Sequence, residues 1–367
     1  MKIDISSVAI ILKKTFSIVT LIFKSSNLQI IKLSNNQMIE SLLSYGWWVA
    51  IIFIIVGFTV LVKGADWLVD GASAVAKRFG ISDLVIGLTV VAFGTSMPEF
   101  VVNMVSVGHG TTELAITNIL GSNIINTFVI LGLTALVYPI ATHRSTRNFD
   151  IPMSILAGAF IYVFVTPPHF WDKEFPGIDR LSGIILLVAF CVFLFITFRN
   201  AKAQEHSKEE EVNVKEMSVG KAIALILCGF AGLTIGGELI VDSAVDIATR
   251  MGVSEAIIGL TIVALGTSLP ELATSVMAAF KKNSDIAMGN VIGSNIFNVF
   301  FVLGTSAVIR PLPAYKGIEL DALMAALGSF IVWLALKIDK DNKLPRWAGA
   351  LLLIVYAGYL AYRLMGI

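Results

Sequence analysis

Long apolar runs separated by short polar segments dominate the chain from about residue 45 onwards. A helix needs about 20 mostly apolar residues to cross a bilayer. Ten segments meet this length, and they are residues 46–76, 81–107, 113–138, 147–166, 178–199, 218–249, 254–280, 285–309, 317–337 and 345–364. The first and sixth are long, so we expect them to be tilted or partly interfacial. The pattern predicts an all-α polytopic membrane protein with ten transmembrane helices.

The chain contains an internal repeat with an offset of 172 residues. Residues 81–126 align without gaps on residues 253–298, with 19 of 46 positions identical. Each half holds five predicted spans, and an odd number reverses the orientation of the second half. The sequence therefore predicts two inverted five-helix repeats, an arrangement typical of transporters whose substrate site lies near the bilayer midplane.

This repeat divides the chain into four parts. We expect an N-terminal extension (1–44), a first half (45–200), a cytoplasmic linker (201–217) and a second half (218–367). Within the extension, Lys13 and Lys14 interrupt an apolar segment, where each would cost about 2.5–3.5 kcal/mol on membrane insertion. The extension could be an amphipathic surface helix, or the native chain could begin at Met38. We favour the second interpretation.

Composition and charge agree with a membrane location. Hydrophobic residues make up 56% of the chain and charged residues 14%, against about 25% charged in soluble domains. The net charge of +1 gives no reason to expect a nucleic-acid partner. Alternate loops carry fifteen and six basic residues, and the richer set is expected in the cytoplasm. This places both ends of the ten-span core outside and the 200–217 loop inside. Two cysteines, Cys191 and Cys228, are expected to be small buried hydrophobic residues.

Each half carries the motif Gly-Thr-Ser-x-Pro-Glu inside an apolar span. Proline removes a backbone donor and glycine adds freedom, so the helix should kink or break there. Broken backbone at membrane depth is tolerated where it lines a cavity or is buried in protein. The residues that can face such a cavity are Ala92, Thr95, Ser96 and Glu99 in the first copy and Ala264, Thr267, Ser268 and Glu271 in the second.

A second motif, Gly-Ser-Asn-Ile-x-Asn, supplies the facing wall of the expected site. Polar residues spaced by four share one helix stripe: Asn118, Ser122 and Asn126 in the first half, and Asn290, Ser294 and Asn298 in the second. For Asn118 and Asn290, a role in holding helices together is an equal alternative. The combined set offers only oxygen ligands, which suits hard cations such as Ca²⁺.

The two glutamates also indicate a mechanism. Ionised carboxylates are costly in a bilayer and are usually functional. If only cation-filled states can reorient, the protein exchanges ions and does not leak them. Two rivals remain at this point: an intramembrane hydrolase with Ser96 or Ser268 as nucleophile, which lacks an intramembrane histidine as base, and a passive channel.

GTSMPE (94–99) and GTSLPE (266–271), each followed by the second motif, resemble the alpha-repeats of the sodium/calcium exchanger family, within the calcium/cation antiporter superfamily. The likeness is strongest to compact prokaryotic members and covers residues 45–367. It implies a ten-helix antiporter in a prokaryotic plasma (inner) membrane that moves Ca²⁺ against Na⁺ without a cofactor. A proton-coupled or other divalent-cation antiporter of the same fold is the alternative.

The resemblance also assigns roles to particular residues. It implies that Glu99 and Glu271 are central ligands shared by calcium and sodium, and that Thr95 and Thr267 contribute oxygen to the calcium position. The remaining implied ligands are the carbonyls of Ala92 and Ala264, the hydroxyls of Ser96, Ser268, Ser122 and Ser294, and the central amides of Asn126 and Asn298.

Three differences from other branches of the superfamily refine this expectation. Some relatives, including the potassium-dependent branch, have an acid where this chain has Asn298, so potassium co-transport is not expected. The cation/proton exchanger branch carries Gly-Asn-x-x-Glu at the first motif, which favours sodium coupling here. The large regulatory calcium-binding insert of animal exchangers has no counterpart in residues 200–217.

Overall fold

The structure is a computed structural model that describes residues 46–166, 177–204, 217–252 and 264–365. Most of these residues are helical. The helices are α1 Trp47–Phe79, α2 Asp83–Thr95, α3 Met97–His109, α4 Thr112–Val137, α5 Thr146–Val165, α6 Arg180–Gln204, α7 Val219–Arg250, α8 Ala264–Thr267, α9 Leu269–Phe280, α10 Ser284–Ile309, α11 Ile318–Ile338 and α12 Arg346–Leu364. The predicted N-terminal extension and most of the predicted linker lie outside the described residues.

Helix is present in all ten predicted spans. Among the described residues, seven helices are long and apolar enough to cross a membrane, and α2 with α3 makes an eighth if the bent pair is one span. The seventh predicted span, 254–280, is described only from residue 264 onwards, as α8 and α9. The prediction of an all-helical polytopic membrane protein is confirmed.

Two short antiparallel strand pairs join the ends of the helices. Strand β1 (Ile140–Ala141) pairs with β4 (Lys343–Leu344), and β2 (Gly177–Ile178) pairs with β3 (Leu312–Pro313). Each pair links a segment of the first half to a segment of the second. The strands therefore tie the two halves together at positions flanking the spans.

A glycine seam joins α1 to α7, and its contacts show the inversion of the two halves directly. A Cβ added at Gly57 would lie 2.9 Å from the carbonyl oxygen of Gly236, and one at Gly64 would lie 2.9 Å from that of Gly229. Gly229 and Gly236 are the repeat counterparts of Gly57 and Gly64. Since the contact position advances by seven residues along α1 while it retreats by seven along α7, the two helices run antiparallel.

Helices α4 and α10 form the centre of the bundle. They are the most buried of the candidate spans, with 78% of each apolar window inside the protein. Gly289 and Gly293 let α10 lie directly against the backbone of α2 around Leu88. Small residues at such crossings allow the van der Waals packing that holds membrane helices together.

The outer helices turn apolar faces towards the surroundings. Cys191 on α6 and Cys228 on α7 are both exposed, so the prediction that they are buried is wrong. An apolar run in a membrane protein does not distinguish a side that faces lipid from a side that faces protein. Both cysteines lie on sides of α6 and α7 that the other described helices leave uncovered.

Candidate cation-binding site

Both Gly-Thr-Ser-x-Pro-Glu motifs interrupt their helices, as predicted. Helices α2 and α3 meet at Ser96 with a bend of 45°, and Ser268 separates α8 from α9 with a closely similar backbone conformation. A proline follows each break, within the first two positions of the next helix. Glu99 and Glu271 thus lie in the first turns of α3 and α9, where the N-terminal end of the helix dipole stabilises negative charge.

The two glutamate side chains are fully buried and hydrogen-bonded by hydroxyl groups. Ser96 Oγ donates to Glu271 Oε1 at 2.8 Å, and Ser294 Oγ lies 3.5 Å from the same oxygen. Ser122 Oγ donates to Glu99 Oε1 at 3.4 Å, and the Thr267 side chain also hydrogen-bonds Glu99. Each carboxylate therefore accepts hydrogen bonds from hydroxyl groups of both repeats, so the site forms only when the two halves are in contact.

Several buried polar atoms at this place have no hydrogen-bond partner among the described residues. They are Oε2 of Glu99 and Glu271, Oγ of Ser268, Oδ1 of Asn298, and both amide atoms of Asn126. Buried polar groups are nearly always paired, because an unpaired one costs about 1–3 kcal/mol. Apart from one N–H group, the unpaired set consists of oxygens, which are the ligands that hard cations prefer.

Asn126 and Asn298 occupy equivalent places in the two halves. Each is the second residue of a π-helical segment, Ile125–Ile130 in α4 and Phe297–Leu303 in α10. Such segments are common at functional sites because they shift side chains and carbonyls out of helical register. Both amides are fully buried, as expected for residues that line the centre of the site.

The remaining predicted ligands differ in what the structure shows of them. Thr95 is buried, and its hydroxyl donates to Asn290 Oδ1 at 3.0 Å. The Ala92 carbonyl accepts the backbone N–H of Ser96 and also lies 3.3 Å from the Thr95 hydroxyl. Ala264 lies in α8, with only its backbone described. Ion binding by these residues stays a prediction.

Asn118 and Asn290 act as contacts between helices. Asn290 Nδ2 donates to Ser275 Oγ at 2.9 Å and to the Glu271 carbonyl at 3.3 Å. Asn118 Nδ2 donates to Asn103 Oδ1 at 3.0 Å, and Asn103 is the repeat counterpart of Ser275. The helix-linking alternative is therefore the one that the geometry favours for both asparagines.

Sequence reasoning passed over the first asparagine of each Gly-Ser-Asn-Ile-x-Asn motif, Asn123 and Asn295. Asn123 Nδ2 donates to the Asn295 carbonyl at 3.0 Å, and Asn298 Nδ2 donates to Asn123 Oδ1 at 3.2 Å. Asn295 Nδ2 in turn donates to Thr127 Oγ1 at 2.7 Å. These bonds link α4 to α10 across the two halves. The repetition of both asparagines in the motif was the signal that could have identified them.

Comparison with known proteins identifies the family of the chain. The family model described as sodium/calcium exchanger protein matches residues 49–199 and 221–365, which is most of the chain. The chain belongs to the sodium/calcium exchanger family. Since this is a family of transporters, the intramembrane hydrolase is excluded as an alternative, and the two matched stretches correspond to the two predicted repeats.

Individual relatives match the sequence of this chain over most of their length. The inner membrane protein YrbG of Escherichia coli (strain K12) is 37% identical over 269 residues, which are 70% of this chain and 79% of YrbG. The sodium/calcium exchanger MaX1 of Methanosarcina acetivorans is 30% identical over 339 residues, or 84% of this chain and 97% of MaX1.

A solved structure of the same family has the same fold. The structure of the sodium-calcium exchanger NCX_Mj, soaked with Na⁺ and Sr²⁺, superposes with a TM-score of 0.73 at 31% identity. The match covers 86% of this chain and 99% of NCX_Mj. The protein described here is therefore a membrane transporter of the cation/calcium antiporter type with the NCX_Mj fold.

Proposed function

We propose that the protein is a secondary antiporter that exchanges Na⁺ for Ca²⁺ by alternating access. The observation that carries this proposal is the pair of fully buried carboxylates, Glu99 and Glu271, each with one oxygen that has no hydrogen-bond partner among the described residues. One divalent cation, or monovalent cations in its place, would neutralise the pair and satisfy those oxygens.

In the proton-coupled alternative, protons take the place of Na⁺ in the exchange for Ca²⁺, and protons fit this ligand set less well than a metal cation. Protonation would satisfy a carboxylate oxygen, but the side-chain oxygen of Asn298 and the amide of Asn126 would still have no partner in the described part of the chain. A metal cation satisfies several oxygens at once. MaX1, a relative of similar length, is itself a sodium/calcium exchanger, which supports sodium as the coupling ion.

We infer a plasma or inner membrane location, and the arrangement of basic residues supports an orientation with the 200–217 loop in the cytoplasm. The name of YrbG, inner membrane protein, agrees with the first part of this proposal. In this orientation the loop between α9 and α10, which carries Lys281 and Lys282, also faces the cytoplasm.

The coupling ion is tested with purified protein in sealed vesicles. We expect an outward sodium gradient to drive uptake of ⁴⁵Ca²⁺, and an imposed pH gradient of equal size without sodium to drive little. Calcium-loaded vesicles diluted into buffer without a counter-cation should retain their calcium. Rapid loss under that condition would contradict exchange, and uptake driven by pH alone would indicate the proton-coupled alternative.

Asn290 provides a second test, because it links Thr95 on α2 to Ser275 and the backbone of Glu271 on α9. We expect Asn290→Ala to raise the calcium concentration for half-maximal uptake about tenfold, since losing two to three buried hydrogen bonds costs about 1–3 kcal/mol. Thr117→Ala on α4, whose hydroxyl bonds only its own helix, is the control. An unchanged half-maximal concentration in Asn290→Ala would contradict a positioning role.

A further inference from the structure

The two ends of the bundle differ in how closely their helices pack. Helix α1 packs along α9, where Leu269, Ala273 and Met277 contact the cluster that contains Ala65 and Leu68 of α1. The repeat counterparts of α1 and α9 are α7 and α3, and these two fully described helices barely touch. Two halves with the same sequence motifs therefore adopt different arrangements at the two ends.

Side-chain exposure shows the same asymmetry. Val105 on α3 is the repeat counterpart of Met277 on α9, and Val105 is 47% exposed. Met277 is partly buried against the α1 cluster. The gap between α1 and α9 is thus closed, and the corresponding gap between α7 and α3 is open among the described helices. By the proposed orientation, the closed gap is on the cytoplasmic side.

Charged side chains bridge the closed gap. Lys281 Nζ, at the end of α9, lies 2.7 Å from Asp66 Oδ1 and 2.5 Å from Asp70 Oδ1 on α1. It also donates to the Asp66 carbonyl at 3.0 Å. One ammonium group therefore joins α1 to the hairpin that carries Glu271 through two hydrogen bonds and a further ion-pair contact, and α1 cannot separate from α9 without breaking them.

We propose that Lys281, Asp66 and Asp70 form a latch that holds the cytoplasmic gap closed in this conformation. The inference rests on the proposed function, since alternating access requires α1 to leave α9 when the site opens to the cytoplasm. The latch bonds are lost on opening, so they stabilise one conformation relative to the other. Lys281 lies outside the ion site and acts on the balance of conformations.

The repeat gives this latch a weaker counterpart at the other end. His109 occupies the position of Lys281, and Glu238 and Asp242 occupy those of Asp66 and Asp70. An ammonium carries three N–H donors, whereas an imidazole ring carries at most two. When α7 closes on α3, the pairing there is weaker than the one Lys281 makes, and the balance favours the conformation closed to the cytoplasm.

Paired cysteine reporters test the latch without relying on transport. In a Cys191→Ser, Cys228→Ser background, Met277→Cys reports on the gap at α9 and Val105→Cys on the gap at α3. In nanodiscs, we expect a water-soluble maleimide to label the Val105→Cys reporter faster than the Met277→Cys reporter. Adding Lys281→Met should raise labelling of the Met277→Cys reporter roughly five- to tenfold, and His109→Lys should lower labelling of the Val105→Cys reporter.

Lys282→Met is the matched control, because it removes the same charge from the neighbouring exposed residue, which forms no ion pair with the described residues. Asp70→Asn provides a second way to weaken the latch if Lys281→Met folds poorly. Equal labelling of the Met277→Cys reporter in the parent, Lys281→Met and Asp70→Asn proteins would overturn the proposal. Since labelling requires no ion gradient, this outcome is distinct from a failure of sodium/calcium exchange.

Discussion

Sodium-driven calcium uptake is expected to disappear in Glu99→Gln and, separately, in Glu271→Gln. Glutamine keeps the size of the side chain and an acceptor oxygen for Ser122 or Ser96, so the local hydrogen bonds survive. What is lost is one of the two charges that neutralise a divalent cation. Removing the carboxylate from a buried carboxylate–cation pair costs about 3–5 kcal/mol. This corresponds to a loss of more than about 100-fold in uptake at fixed calcium.

The measurement is initial ⁴⁵Ca²⁺ uptake into vesicles at several calcium concentrations, with protein amount and monodispersity matched. Glu113→Gln is the control, because Glu113 is exposed in the first turn of α4, away from the site. It should transport like the parent protein. Parent-like uptake in both site variants would remove the assignment of these carboxylates as ligands.

A leucine at Gly64 is expected to destabilise the whole bundle. A Cβ at this position would lie 2.7 Å from the backbone nitrogen of Leu233 and 2.9 Å from the Gly229 carbonyl oxygen. Both are main-chain atoms, so no side-chain rotation can relieve the contact and α1 must move away from α7. Overpacking of this kind costs about 1–3 kcal/mol and occasionally more.

Thermal unfolding of the detergent-solubilised protein measures the effect, and we expect a melting temperature several degrees below that of the parent. Gly358→Leu on α12 is the matched control, since a Cβ there meets no atom within 4 Å. It makes the same change in helix propensity without a backbone contact. Equal melting temperatures for the two variants would show that α1 and α7 do not depend on the glycine seam.

Sequence patterns predicted the helices and the two central glutamates because both signals are local. A run of about 20 apolar residues identifies a span, and the 172-residue repeat places Glu99 and Glu271 in equivalent frames. The break after Thr95 also follows from local chemistry, since glycine and proline act on their own helix. The structure agrees with the sequence on each of these points.

Contacts between the halves could not be predicted in the same way. The bond from Ser96 to Glu271 crosses 175 positions, and nothing in either motif indicates which serine reaches which carboxylate. A repeat also predicts that the two ends of the bundle pack alike. In the structure, the gap between α1 and α9 is closed, whereas the gap between the described helices α7 and α3 is open. Under the alternating access proposed above, that difference belongs to one of two conformations that a single sequence encodes.

The lengths of α1 and α7 connect this transporter to the lipid composition of its membrane. At 1.5 Å per residue, helices of 33 and 32 residues extend about 50 Å, while a typical hydrocarbon core is about 30 Å thick. The glycine seam holds the two helices in direct contact, so their tilt angles are linked. A thicker bilayer favours a more upright pair and a thinner one a more inclined pair, so hydrophobic mismatch acts on α1, which packs against α9, and on its repeat counterpart α7.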